Sequence, residues 1–156
     1  MKISTSSIQY TMSKINIRCY GIIINKNKEI LLSDEHRFGR SFTKFIGGGL
    51  EFGEGTSECL EREILEETGL HASIGDLFYV NDFFQESSFS KEDQIISFYY
   101  FIEKIDCAAI PIAETSTFEK GNGEIFRWKS IHSLTENDVT FPIDKVVVGE
   151  IKVLYD

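Results

Sequence analysis

Three glutamates on one short stretch, Glu63, Glu66 and Glu67, carry the strongest chemical signal in the chain. A helix turns about 100° per residue, so with Glu63 at zero, Glu67 falls about 40° to one side and Glu66 about 60° to the other. The three carboxylates then share roughly 100° of arc. Leu60 and Ile64 lie beside that arc and offer an apolar edge for packing. Such crowding opposes an isolated helix, because like charges one turn apart repel by roughly a few tenths of a kcal/mol. The last turn is also the wrong end of the helix dipole for anions. A hard divalent cation relieves both problems, and magnesium in addition binds substrate phosphates. A lone E-x-x-E-E is more often a solvated acidic face, so its surroundings decide.

The surroundings read GGLEFGEGTSECLEREILEETGL over residues 48–70. Gly48 is followed after five residues by Glu54, and after seven more by Arg62-Glu63-Ile64-Leu65-Glu66-Glu67-Thr68-Gly69-Leu70. This resembles the Nudix box, G-x5-E-x7-R-E-U-x-E-E-x-G-U with U a bulky aliphatic residue, at every specified position. With average residue usage, a chance match is on the order of one in ten million.

The resemblance implies an α/β (α+β) Nudix fold, a mixed β-sheet sandwiched between helices. It implies a metal-dependent pyrophosphohydrolase that cleaves a nucleoside diphosphate linked to X, of the nucleoside triphosphate or nucleotide-sugar type. By the same resemblance, Glu63 and Glu67 are the principal metal ligands, Glu66 a further ligand through water, and the Gly47 carbonyl a main-chain ligand. The cofactor is Mg²⁺, with Mn²⁺ as the alternative. Gly48, Glu54, Arg62 and Gly69 hold the box in shape. The base that takes a proton from water is a box glutamate or a later one, with Glu119 and Glu124 favoured because they flank the turn leading to Trp128. The family also includes domains that sense nucleotides without cleaving them, and that is the alternative reading. A homodimer follows only from family habit. Ile46 stands where many relatives have proline, which removes no ligand.

The net charge of −9 repels nucleic acid, anionic membranes and polyphosphates alike. A phosphate-cleaving chain of this charge needs metal or a local excess of basic residues. Arg37, Arg40 and Lys44, just before the glycine run 47–49, supply such an excess and are candidates for holding substrate phosphates. The partner expected is therefore a small nucleotide, with neither nucleic acid nor membrane. Three widely spaced cysteines, Cys19, Cys59 and Cys107, fit reduced thiols in the cytoplasm. Phe38, Phe83, Phe84 and Tyr79 could stack on a base, although core packing is the commoner role of such residues.

The elements that must position these groups follow from periodicity. Residues 15–24 and 29–33 read as a β-hairpin, and 34–44 as a polar loop. Residues 56–68 read as a helix capped by Gly69. Residues 72–84 form a strand bent near Gly75. The strand 94–105 is apolar on both faces and is expected to be central and covered on both sides. Residues 106–123 are a long loop and 124–129 a strand. A final helix spans 142–154, with an apolar stripe of Ile143, Val146, Val147, Ile151 and Leu154. One domain is expected over 14–156, with 1–13 a flexible N-terminal extension.

Overall fold

The computed structural model describes residues 12–113 and 123–155. Residues 1–11 of the expected extension lie outside the described residues, as does Glu119. Ser13, at the end of that extension, donates its N–H to the Glu92 carbonyl at 2.9 Å.

Seven strands and two α-helices follow one another among the described residues. They are β1 (Lys14–Ile22), β2 (Glu29–Arg37), β3 (Arg40–Lys44), β4 (Ile46–Gly49), α1 (Thr56–Thr68), β5 (Ser73–Val80), β6 (Asp93–Lys104), β7 (Gly123–Ser130) and α2 (Pro142–Tyr155). A four-stranded sheet has the order β4-β1-β6-β5, and a three-stranded sheet the order β3-β2-β7. The first is mixed, since β1 and β6 run parallel while β1–β4 and β5–β6 are antiparallel.

Side-chain alternation along the strands builds two cores. On β1, Tyr20 and Ile22 join a cluster with Ile143, Val147, Val148 and Ile151 of α2. Cys19 joins a second cluster with Cys59, Leu60 and Ile64 of α1. On β6, Tyr99 belongs to the first cluster, while Tyr100 and Ile102 pack against the second. The strands are therefore covered on both faces, with one helix on each side. Complete burial of Leu60 and Ile64 anchors α1, each contributing about 2 kcal/mol. The helix ends at Gly69, whose φ of 74° is the left-handed cap expected of it.

Three local expectations are corrected. The hairpin read over 15–24 and 29–33 is divided between the two sheets. The Ile24–Ile30 bridge and 3.0 Å bonds from the Leu31 N–H to the Ile23 carbonyl and from the Asn25 N–H to the Glu29 carbonyl link its arms. The polar loop 34–44 is instead a second hairpin: β2 continues to Arg37 and returns as β3. Its two turn residues, Phe38 and Gly39, have φ of 54° and 70°, the backbone sense that a tight two-residue hairpin requires. Polarity misled here because Asp34, Glu35 and Lys44 are buried against polar partners rather than solvated. On α2, Val146 and Leu154 face outward, while Asp144 and Val148 are buried in their place. Around Gly75, where a bend was expected, β5 shifts register against β6.

Candidate active site

The register of the three-stranded sheet sets four polar groups side by side. Ser33 of β2 stands opposite Lys44 of β3, and Glu35 of β2 stands opposite Glu124 of β7. Residues two apart on a strand share a face, so all four side chains meet on one surface. The Ser33 hydroxyl donates to Glu124 Oε1 at 2.5 Å. Lys44 Nζ lies 2.8 Å from Glu35 Oε1 and 4.0 Å from Glu124 Oε1. It also donates to the carbonyls of Gly47 at 3.2 Å and Phe45 at 3.3 Å.

Helix α1 brings Glu67 to this surface. Glu35, Glu67 and Glu124 each place a carboxylate oxygen within 4.8 Å of the others. Glu67 Oε2 is buried and has no hydrogen-bond partner among the described residues. Burial pushes the Glu67 carboxyl up to about 8; Lys44 opposes this, while Glu124, Glu63 and Glu35 add to it. Burial also raises Glu124, against the pull of Lys44 and the Ser33 hydrogen bond. Lys44 itself is raised, since Glu67 and Glu35 outweigh the burial that would strip its proton.

The loop ahead of α1 is tied to the helix through Arg62. Its Nη2 and Nε donate to Glu54 Oε1 and Oε2 at 2.7 and 2.9 Å, a two-pronged pairing. That pairing holds the Glu54 carboxyl down to about 2. Arg62 further donates to the Gly49 carbonyl at 3.0 Å and to Glu63 Oε1 at 3.0 Å. Glu66 meets only the outer prong of Arg62, at 3.3 Å, and its side chain is 58% exposed. Glu63, besides pairing with Arg62, lies against the backbone of Gly48. Gly47 has φ of 142°, and a Cβ there would run into the Cys19 carbonyl, so this strand edge requires glycine.

A cavity of about 360 Å³ opens beside these groups and is bounded by Glu35, Lys44, Glu63 and Glu67. Arg37 also lines it, 3.8 Å from Glu35 and half exposed. Arg40 turns aside: it donates to the Ser88 carbonyl at 2.7 Å and stacks over the Phe89 ring at 5.0 Å. Phe42, Phe89 and Phe141 form an aromatic wall with ring centroids 5.3–5.7 Å apart. Of the four aromatics named for base stacking, only Phe38 lines the cavity. Tyr79 packs on Tyr99 in the core instead, at 6.2 Å.

Sequence reasoning missed the aromatic wall and three charged residues beside it. Glu35 was hidden in the supposed loop, and only its register opposite Glu124 reveals it. Arg18 lines the cavity and donates to the Tyr20 hydroxyl at 3.1 Å. Asp144 lines it too, with Oδ1 accepting the Tyr99 hydroxyl at 2.5 Å and Oδ2 buried without a hydrogen-bond partner among the described residues. A polar residue interrupting the apolar stripe of α2 was the available signal.

A loop-helix segment that turns glutamates toward a cleft between two sheets defines the class: a hydrolase built on the Nudix plan. The NUDIX domain family matches residues 15–148, and the chain belongs to it. Among solved structures, the E. coli ORF135 protein is similar with a TM-score of 0.67 at 20% identity, over 94% of each chain. A MutT structure from work on Aliivibrio salmonicida and Vibrio cholerae gives a TM-score of 0.66 at 22% identity, over 90% of this chain and 98% of that one. These likenesses speak to the fold. A 53-residue stretch is 38% identical to the NAD-capped RNA hydrolase NudC of Vibrio parahaemolyticus serotype O3:K6, covering 34% of this chain and 20% of that protein. The match thus spans about a fifth of the length of that curated relative. No helix among the described residues is long and apolar enough to cross a membrane.

Proposed function

We propose that this chain is a divalent-metal-dependent pyrophosphohydrolase that cleaves the diphosphate of a small nucleotide, a nucleoside triphosphate or a nucleotide sugar. The observation that carries this reading is the buried Glu67 Oε2, which has no hydrogen-bond partner among the described residues. A hydrogen-bonded polar group would be satisfied there, whereas an orphaned carboxylate oxygen asks for a cation. The donor set fits magnesium or manganese, being oxygen only.

Glu63 and Glu67, with Glu66 through water, would hold the ion. Bound there, it supplies charge neutralisation for the phosphate oxygens and a more acidic water. Glu124 accepts the proton of the attacking water, its basicity raised by burial. Arg37 reaches the phosphates from the cavity wall, and the aromatic wall receives the nucleoside. A substrate that is small, rather than nucleic acid, suits a chain with net charge −9. The three free cysteines suit a reducing cytoplasm.

The test is a panel of nucleoside triphosphates, nucleotide sugars and dinucleotides assayed with and without Mg²⁺. Turnover is expected only with the ion, and Glu67→Gln is expected to lower it at least about 100-fold. Tight binding without turnover across the panel would identify a nucleotide sensor instead.

A further inference from the structure

We propose that Lys44 is a tethered cation filling one cation position of the carboxylate site, so that the nucleotide-free protein takes up one divalent ion, on the Glu63–Glu67 side. This rests on the metal-dependent reading above and specifies how the site divides its charge.

The ammonium sits where a hard cation would. Its nearest polar partners are oxygens: Glu35 at 2.8 Å, the Gly47 carbonyl at 3.2 Å, the Phe45 carbonyl at 3.3 Å, and Glu124 at 4.0 Å. Three ammonium protons match the three nearest acceptors. The lysine side chain is 4% exposed and that of Glu35 5%, so the pair is a buried unit rather than a surface ion pair. The position is fixed by strand register, since Lys44 stands opposite Ser33 at the end of β3. The Gly47 carbonyl, which the family resemblance assigns to the metal, is thereby given to Lys44.

The consequences for the neighbouring acids differ. Glu35 is neutralised from within. Glu124 lies near a fixed positive charge and stays free of coordination, as a proton acceptor must. Glu67, whose carboxyl also feels the Lys44 charge, retains an oxygen with no hydrogen-bond partner among the described residues, and it is to this oxygen that an external ion is drawn. A second dication between Glu35 and Glu124 would either face the ammonium at close range or displace it from a carboxylate and two carbonyls.

The experiment is a Mn²⁺ titration of the full chain without nucleotide, followed by electron paramagnetic resonance, which counts free and bound ions. One bound ion is expected for the native protein and for Lys44→Arg. Two are expected for Lys44→Met, and one again for Lys44→Met combined with Glu35→Gln. Two ions in the native protein overturn the proposal whether or not the methionine variant folds. A single ion in a folded Lys44→Met overturns it as well. No bound ion in any of these proteins would instead overturn the metal-dependent reading on which the proposal stands.

Discussion

The carboxylate of Glu63 lies so close to Gly48 that a Cβ at position 48 would overlap its carboxyl carbon and both oxygens. The glycine is needed for the space it leaves, since its φ is not in the left-handed region. Gly48→Ala should therefore push Glu63 out of place while leaving both cores intact. A displacement on the order of 1 Å at a reacting site costs about 100-fold in rate, and a loss of that size is expected in the Mg²⁺-dependent assay, with an unchanged circular dichroism spectrum. Adding Glu63→Asp, one methylene shorter, should recover part of the loss. Full activity in Gly48→Ala would remove the contact from the mechanism.

Ion-free stability should depend on pH in a defined direction. Burial raises Glu67 from 4.5 to about 8 and Asp144 from 3.8 to about 7. Both groups hold their protons more tightly in the folded state, so their contribution is complete below the unfolded values. It is lost as pH rises through the window from about 4 to about 8. The melting temperature of the protein in chelator should fall by several degrees between about pH 5 and pH 8. Excess Mg²⁺ should raise it more at pH 8 than at pH 5, because binding must displace the Glu67 proton. A melting temperature that rises across this window in chelator would contradict the assignment.

Arg62 joins the glycine loop to α1 through Glu54, the Gly49 carbonyl and Glu63 at once. Lysine keeps the charge but not the planar fork. Arg62→Lys should lower the melting temperature by several degrees and weaken Mg²⁺ dependence, seen as a higher ion concentration for half-maximal rate. Arg62→Lys with a native ion requirement would show that the fork serves only the fold.

What the sequence determined by itself was the local machinery. The box 48–70 specified α1 to the residue, its Gly69 cap, and which side chains would crowd one face, because helix geometry depends only on spacing along the chain. The double-sided apolar pattern of β6 likewise foretold its place between two cores. What only the tertiary structure decided was how distant segments meet. Glu35 and Lys44 looked solvated because nothing local to them says otherwise. Pairing of β2 with both β3 and β7 buries them and sets Glu35 against Glu124, 89 positions away in the chain. Asp144 became a cavity group only when α2 docked and Tyr99 reached it. Strand register is a long-range property, fixed by which faces become buried across the whole sheet. The acids on the helix could therefore be named from sequence, while the acids that complete the cluster could not.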